Sequence, residues 1–277
     1  MRFTKAHGLG NDFILVDAAD APEDRSEWTQ RLCARHRGIG GDGVVLHSRA
    51  SDGMRMLLFN ADGRPSEISG NGLRCLAALA VRKGWAPAGH TVHTVVGPRR
   101  VDVSPVGPTT YRIGTDLGVP ALTSARIPMA LDPPQEPVTE YPVEVLGRTE
   151  RVTATSVGNP HCAVFLDAPA DDALVTSLGP ALENHPLFPE RTNVEFVTVV
   201  SMDEIRVRFW ERGVGPTEAS GTGSASAVVA AILNGYTHRE VRVVCDGGVL
   251  EVAWPEDESL RQIGEVEILY EGDWLGG

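Results

Sequence analysis

The chain has few of the features that would tie it to a membrane or to a nucleic acid. Its longest apolar run, from Ala225 to Leu233, is far shorter than the roughly 20 residues that a membrane-spanning helix needs. Lysine and arginine number 25 against 37 acidic residues, so the formal net charge is −12 and no basic cluster stands out. We therefore expect no nucleic-acid partner and no membrane association.

Cysteine and histidine are also sparse, and neither falls into a recognisable ligand pattern. The four cysteines show no C-x-x-C spacing, and the eight histidines include no H-E-x-x-H pair. The first residues, Met1 to Lys5, lack the apolar stretch of a secretion signal. These absences lead us to expect a cytoplasmic protein with reduced thiols, no metal and no organic cofactor.

What the chain does contain is an internal repeat. The segments Phe59–Gly63 and Glu67–Gly72, which read FNADG and EISGNG, recur as FWERG and EASGTG at Phe209–Gly213 and Glu218–Gly223. Upstream, the Gly-Asn pair that ends at Asn11 recurs with Asn159. With 277 residues, of which 42% are hydrophobic, the chain can form two domains of about 140 residues. We interpret the repeat as a duplicated domain.

The same repeat predicts the main elements of each half. Apolar residues at helical spacing follow Ser69 and Ser220, and each predicted helix stops at a glycine, Gly84 or Gly235. Alternating strands precede and follow each helix. The predicted domains are residues 1–118 and 119–263, with 264–277 returning to pair with the first, and a proline-rich linker occupies residues 118–142.

One glycine-rich segment invites a nucleotide-binding interpretation. Gly38–Gly43 matches G-x-G-x-x-G, but that motif binds a pyrophosphate only between a strand and a following helix. Here the predicted order is reversed: a helix with Ser26 as N-cap, extending through Arg35, precedes the glycines and a strand follows them. The segment is therefore interpreted as a connector.

The two serines stand where a helix start could bind an anion. Free N–H groups and the positive helix end favour a carboxylate at that point. Two such helix starts facing each other could bind one carboxylate, with Ser69 and Ser220 on opposite sides of the adjacent carbon. That arrangement predicts removal of a proton from one face of that carbon and delivery of another proton to the opposite face. Simple helix capping by either serine is the structural alternative.

The motifs together resemble the diaminopimelate epimerase family over nearly the whole chain. They are, in order, Phe3–Phe13, Gly38–Gly43, Phe59–Gly63, Gly70–Gly72 with Arg74 and Cys75, Gly158–His161, Asn193–Phe196, Trp210–Gly213 and Gly221–Gly223. The resemblance implies an α+β fold of two pseudo-symmetric domains, each a curved, barrel-like, mostly antiparallel sheet around a central helix. It also implies a cofactor-independent isomerase that interconverts LL- and meso-diaminopimelate, an amino acid with two carboxylates, in lysine and cell-wall biosynthesis.

Residue roles follow from the same resemblance. The reacting carboxylate would be bound by the main chain of Gly70, Asn71, Gly221 and Thr222. The distal end of the substrate would be held by Asn11, Asn60, Asn159, Asn193, Glu211 and Arg212, with His161 in a supporting role. Cys75 and Cys162 are expected to be core thiols. A homodimer is left open.

The chain departs from the family pattern at the two residues that would act as bases. The family has a cysteine pair at positions 69 and 220, and this chain has two serines. Removing a proton from an alcohol costs at least about 7 kcal/mol more than removing it from a thiol, and a helix end recovers only about 1 to 2 kcal/mol of this. The serines are therefore expected to be weak bases.

Several interpretations of the serines stay open at this point. They could be engineered to trap a ligand, or natural with a proton path through His161 or Glu211. The chain could instead be a lyase or isomerase acting on another amino acid, or a non-catalytic amino-acid binding protein. A serine hydrolase that pairs Ser69 or Ser220 with His7 or His161 is disfavoured, because no G-x-S-x-G motif is present.

Overall fold

The strand order of the first half of the chain is repeated in the second half. We describe a computed structural model that covers residues 1–256 and 259–276. It divides into two units, unit 1 with Met1–Asp116 and Ile263–Gly277, and unit 2 with Leu117–Gln262. No helix among these described residues is both long and apolar enough to cross a bilayer.

Seventeen strands and four α-helices make up the described chain. The strands of the first half are β1 Arg2–Gly8, β2 Asn11–Asp17, β3 Gly43–Ala50, β4 Gly53–Asn60, β5 Pro65–Ser66, β6 Gly89–Thr94, β7 Gly97–Pro105 and β8 Thr110–Gly118. Those of the second half are β9 Val138–Val145, β10 Arg148–Ser156, β11 Pro160–Phe165, β12 Asn193–Ser201, β13 Glu204–Glu211, β14 Gly215–Thr217, β15 Glu240–Cys245, β16 Gly248–Ala253 and β17 Leu260–Asp273. The α-helices are α1 Arg25–Cys33, α2 Gly70–Arg82, α3 Asp172–Glu183 and α4 Gly221–Leu233, and Ala18–Asp20 and Ser124–Arg126 form short 3-10 helices.

The two units pair their strands in the same way. In unit 1, β1 and β2 are antiparallel, β2 and β3 parallel, β3 and β4 antiparallel, and β4 and β6 parallel. In unit 2, the same sequence of pairings runs through β10, β11, β12, β13 and β15. In β17, the segment Glu267–Asp273 pairs antiparallel with β1. The duplication in the sequence is thus a duplication of topology.

Each unit buries one helix almost completely. The first eleven residues of α2 are buried, and so are the first eleven of α4. The core around α2 includes residues from β1 to β4, β6 to β8 and β17, so that the barrel-like sheet surrounds the helix. Small and apolar side chains along both helices allow this close approach. The α+β fold of two barrel-like domains with central helices is confirmed.

Both central helices end as the sequence predicts. The residues after the last turn, Gly84 and Gly235, have φ of 66° and 72°. A residue other than glycine would pay a steric cost in this left-handed conformation, which reverses the chain after the helix. The glycine at the helix end is therefore a backbone requirement in both units.

Two local predictions need correction. The first helix starts at Arg25 with Asp24 as N-cap and ends at Cys33, so that Ser26 is not the cap and Arg35 lies outside the helix. The guanidinium of Arg35 binds the carboxylates of Asp12 and Asp42. The predicted linker also contains structure, because β9 already begins at Val138.

Candidate functional site

The two serines of the repeat occupy equivalent places in their units. Ser69 has φ −127° and ψ 122°, and Ser220 has φ −131° and ψ 124°. Each hydroxyl oxygen accepts a hydrogen bond from the backbone N–H three residues ahead, 3.1 Å from Gly72 and 3.2 Å from Gly223. Both serines are therefore N-caps, and the capping interpretation is confirmed. Capping uses the hydroxyl as an acceptor and leaves its hydrogen available.

Both helix starts present unused backbone donors. The first helical hydrogen bond of α2 runs from Leu73 to the Ser69 carbonyl, and that of α4 runs from Ser224 to the Ser220 carbonyl. The N–H groups of Gly70, Asn71, Gly221 and Thr222 precede these bonds, so no carbonyl of their own helix accepts from them. Together with the positive helix end, they favour a bound carboxylate at each start.

Unit 1 fixes the side chain of Asn11 from both sides. Its Nδ2 donates to Oδ2 of Asp42 at 2.8 Å, and its Oδ1 accepts from Nδ2 of Asn71 at 3.2 Å. Oδ1 of Asn71 accepts in turn from the guanidinium of Arg74, which is fully buried. A carboxylate only accepts and a guanidinium only donates, so both amide orientations in this chain of contacts are determined.

The glycine-rich connector builds this arrangement. Asp42 also accepts from the backbone N–H of Asp12 at 3.0 Å and from Arg35 at 2.7 Å. Lys5 forms an ion pair with Asp12 at 2.6 Å and donates to the Gly40 carbonyl. Burial alone would raise the pKa of Asp12, but hydrogen bonds from Arg35 and Lys5 outweigh burial and lower it. The connector interpretation is confirmed, because a helix precedes the glycines and a strand follows them, and Asp42 within the segment binds Asn11.

Unit 2 holds the equivalent Asn159 differently. Its Oδ1 lies 2.9 Å from Nε2 of His161, and its Nδ2 lies 3.5 Å from Oγ1 of Thr222. Nδ1 of His161 is 2.7 Å from Oε1 of Glu195, and both side chains are 1% exposed. Burial raises the pKa of Glu195, and the contact with His161 offsets part of that effect.

The remaining predicted residues of unit 2 cluster around the WERG turn. Oδ1 of Asn193 accepts from the backbone N–H of Arg212 at 3.0 Å, and its Nδ2 donates to the Pro160 carbonyl at 2.8 Å. Glu211 accepts from the Thr217 hydroxyl at 2.8 Å. The buried Glu183 supports the same turn, because it accepts from the indole of Trp210 at 2.7 Å and from the N–H of Gly213 at 2.9 Å.

Contacts of the site residues separate them into groups. Asn11 touches Asn71, and Asn159 touches both His161 and Thr222, whereas Asn193 joins Arg212. Asn60 lies at the end of β4, where its backbone bonds to Arg64 and Gly63 close a turn. Ser69 belongs to unit 1 and Ser220 to unit 2. That they meet one substrate stays a prediction.

Several residues of this network were not predicted as site residues from the sequence. Among them are Lys5, Asp42, Glu183 and Glu195. Asp42 stands inside the glycine-rich segment, and Glu195 is the one acidic residue in the otherwise apolar stretch Val194–Val197. A charged residue in a strand buried on both faces is a usable signal, because it needs a partner.

Two cysteines lie near the site and are confirmed as core thiols. Cys75 and Cys162 are fully buried. Burial raises the pKa of Cys75 to about 12 and that of Cys162 well above its usual value. Such thiols are poor sources of thiolate at neutral pH. Within residues 1–256 and 259–276, no group of three or more His, Cys, Asp or Glu side chains is arranged to hold a metal ion.

Known proteins resemble this chain in sequence and in fold. The diaminopimelate epimerase family model matches residues 3–119 and 153–269. The diaminopimelate epimerase of Desulforudis audaxviator is 45% identical over 282 residues, and that of Pelotomaculum thermopropionicum is 42% identical over 280, each alignment covering 99% of both chains. Among solved structures, a hydroxyproline epimerase from Agrobacterium vitis superposes with a TM-score of 0.70 at 12% identity, covering 98% of this chain and 90% of that one.

A methylitaconate-delta-isomerase superposes with a TM-score of 0.62 at 15% identity, covering 98% of this chain and 95% of that one. At such identities these structures show a shared fold. The sequence relatives carry the stronger conclusion, because they are far more similar and extend from end to end. This chain belongs to the diaminopimelate epimerase family.

Proposed function

We propose that the chain is a cofactor-independent isomerase that interconverts LL- and meso-diaminopimelate. The observation that carries the proposal is the matched pair of helix starts, each with unused backbone donors and a serine in the same conformation. One serine, as its alkoxide, takes the α-proton and becomes a hydroxyl, while the electron pair remains on the substrate as an enolate. The other serine hydroxyl gives its proton to the opposite face and is left as the alkoxide. The backbone donors stabilise the negative charge that develops on the carboxylate.

The distal end of the substrate accounts for the other polar residues. Arg212 pairs with the second carboxylate and Glu211 with the second amine. The four asparagines at positions 11, 60, 159 and 193 complete the binding of that end. The recurrence of these residue types at family positions supports this assignment, together with the side-chain contacts that hold Asn11 and Asn159.

A weak reaction is expected, because each serine must act largely unaided. Within its own unit, neither hydroxyl is hydrogen-bonded to a carboxylate, imidazole or thiol of the described residues. The ring nitrogens of His161 contact Glu195 and Asn159, and Glu211 contacts Thr217. The same observation favours a second candidate, a protein that binds the amino acid without turning it over.

Isotope exchange separates these candidates. The protein is incubated with LL-diaminopimelate in deuterated water, and deuterium at the α-carbon is followed together with configuration. Slow exchange with inversion supports the isomerase, whereas binding without exchange supports a protein that binds the amino acid without turnover. Loss of water or ammonia would indicate a lyase, and cleavage of an ester substrate would indicate a hydrolase.

Restoring thiols gives the sharper test. Ser69→Cys combined with Ser220→Cys is expected to raise the exchange rate at least about a hundredfold, because a thiol supplies a competent general base. Each single variant serves as the control, and its rate of inversion should remain slow, since one weak base persists. An exchange rate for the double variant at or below that of the starting protein would contradict the proposed roles of both serines.

A further inference from the structure

A buried ionisable pair in unit 2 replaces an apolar pair in unit 1. His161 faces Asn193 in the parallel pairing of β11 with β12, and Phe13 faces Gly43 in the equivalent pairing of β2 with β3. Two residues further on, Glu195 in β12 corresponds to Val45 in β3. A Cβ built on Gly72 would have Phe13 and Val45 among its nearest neighbours, and a Cβ built on Gly223 would have Glu195.

The comparison shows that the fold does not need this ionisable pair. Unit 1 builds the same topology with Phe13 and Val45 buried at these positions. Burying a carboxyl and an imidazole is costly unless their contacts offset the desolvation, and apolar residues of similar size commonly stabilise as well or better. Oε2 of Glu195 is buried without a hydrogen-bond partner, which adds to that cost. The presence of the pair is therefore best explained by its contact with a site residue.

That site residue is Asn159, and the orientation of its side-chain amide depends on the His161–Glu195 pair. In unit 1, the acceptor-only Asp42 and the donor-only Arg74 fix the orientations of Asn11 and Asn71. In unit 2, Thr222 stands at the place of Asn71, and its hydroxyl can either donate or accept. The hydroxyl therefore does not determine whether Oδ1 or Nδ2 of Asn159 faces it, and His161 determines the orientation instead.

The protonation of Nε2 of His161 determines the orientation of the Asn159 amide. Oδ1 of Asn159 faces Nε2, which requires an N–H there. Two forms of the pair supply it: an imidazolium beside a carboxylate, or a neutral imidazole whose Nδ1 accepts from a protonated Glu195. If the pair loses one proton, Nδ1–H donates to the carboxylate and Nε2 keeps a lone pair. The Asn159 amide must then turn around, with Nδ2 donating to Nε2.

We propose that Glu195 is a positioning residue that keeps Nε2 of His161 protonated and thereby holds Asn159 with its Nδ2 toward Thr222. The equivalent asparagines then present opposite ends: Asn11 is held through Nδ2, and Asn159 through Oδ1. One carries an acceptor toward the start of its helix and the other carries a donor. The distal end of diaminopimelate, to which the proposed function assigns both asparagines, has an ammonium and a carboxylate to bind, which matches this difference.

The surroundings of the pair are otherwise nearly free of charge. The interactions of Glu195 in unit 2 are with His161 and with the backbone of Cys162, whose buried thiol also senses the Glu195 charge. Across the sheet, Glu195 pairs with Phe209 and His161 with Thr155, and α4 brings Gly223 next to Oε1. Within unit 2, His161 is thus the charged neighbour that acts on Glu195.

The role of Glu195 in binding rests on the proposed function, whereas the protonation of His161 can be measured without a ligand. In protein labelled with 15N-histidine, the two ring nitrogens of His161 are identified by comparison with a variant that lacks it. We expect a protonated-type signal for Nε2 at neutral pH. An unprotonated Nε2 in the wild-type protein would overturn the proposal, whether or not the protein binds diaminopimelate.

Two variants then test the consequence for binding. The double variant His161→Phe with Glu195→Val copies the unit 1 pair, so it should melt within a few degrees of the wild type. It should nevertheless bind meso-diaminopimelate at least about tenfold more weakly, because Asn159 is no longer held. Unchanged affinity in the folded double variant would overturn the proposal. Failure of the wild type to bind would instead refute the proposed function.

The conservative variant distinguishes positioning from packing, and it also serves if the double variant does not fold. In Glu195→Gln the side-chain amide donates to Nδ1, so His161 keeps its Nε2–H without a titrating carboxyl. Affinity should stay within about threefold of the wild type at neutral pH. Because the titration of the ligand is common to both proteins, the ratio of the wild-type to variant dissociation constants reports on the pair. The ratio should change at the pH at which the 15N signal shows that Nε2 of the wild type loses its proton, and a ratio that stays constant there would contradict the role.

Discussion

At the scale of single residues, the orientation of an amide is decided by neighbours that can only donate or only accept. Asp42 is such a neighbour for Asn11, because its carboxylate accepts from Nδ2 at 2.8 Å and is held in place by Arg35. An amide at position 42 could offer either end. The carboxylate therefore contributes direction as well as a hydrogen bond.

This leads to a prediction for Asp42→Asn. We expect the affinity for meso-diaminopimelate to fall about tenfold, since a hydrogen bond to a charged group is lost together with the fixed orientation of Asn11. The melting temperature should change little, because Asp42 is 40% exposed. Calorimetric titration measures the affinity. The control is Asp62→Asn, whose carboxylate is exposed and lies 3.7 Å from Arg64. Equal affinities of Asp42→Asn and Asp62→Asn would contradict a role for Asp42 in binding.

At the scale of elements, the two buried helices approach their sheets at the third residue of the first turn. A Cβ on Gly72 would lie 3.3 Å from the flexible end of Met56 and 3.4 Å from Phe13 and Val45. A Cβ on Gly223 would lie 3.0 Å from Oε1 of Glu195 and from the ring of Phe209. The second helix start is therefore the tighter of two equivalent places.

We predict that Gly223→Ala lowers the free energy of unfolding by about 1 to 3 kcal/mol, as overpacking against a rigid ring does. Gly72→Ala is the matched control at the equivalent place. Its effect should stay within about 1 kcal/mol, because the gain in helix propensity of about 1 kcal/mol offsets a contact that Met56 can relieve. Urea unfolding of both variants measures the difference. A larger loss of unfolding free energy for Gly72→Ala than for Gly223→Ala would contradict the conclusion that the start of α4 is packed more tightly than the start of α2.

At the scale of the whole molecule, Asp12 contributes to the pH dependence of stability. The net effect of the surroundings of Asp12 is to lower its pKa, with Arg35 and Lys5 opposing burial. A carboxyl whose pKa is lower in the folded state stabilises the protein fully above its unfolded value of about 3.9. That contribution is lost as the pH falls below this value and through the folded pKa.

Asp12→Asn should therefore flatten the acid side of the stability curve. The variant is expected to be less stable than the wild type at neutral pH, and the difference should shrink as the pH falls below about 4. Chemical unfolding at several pH values provides the measurement. Asp62→Asn should reproduce the wild-type curve, because that carboxylate lies at the surface. A constant difference between Asp12→Asn and wild type from neutral to acid pH would contradict the linkage.

Much of the architecture was accessible from the sequence because it depends on local periodicity. Alternating residues predicted β4 and β13, and helical spacing with a terminal glycine predicted α2 and α4. The end of the first helix was predicted wrongly, because Arg35 keeps the helical spacing but lies outside the helix. Its guanidinium binds Asp12, which lies 23 residues earlier in the chain, and local spacing does not record such a contact.

The sequence by itself determined the duplication, the element types and the membership of a family, because these properties are written in spacing and in recurring motifs. Only the tertiary structure decided which side chain holds which. Asp42 reaches Asn11 and Glu195 reaches His161 through the registers of two parallel strand pairs, across 31 and 34 residues of chain. A slip of one residue in either register would turn these side chains to the other face of the sheet. That choice is made by the packing of the whole unit, which no local pattern records.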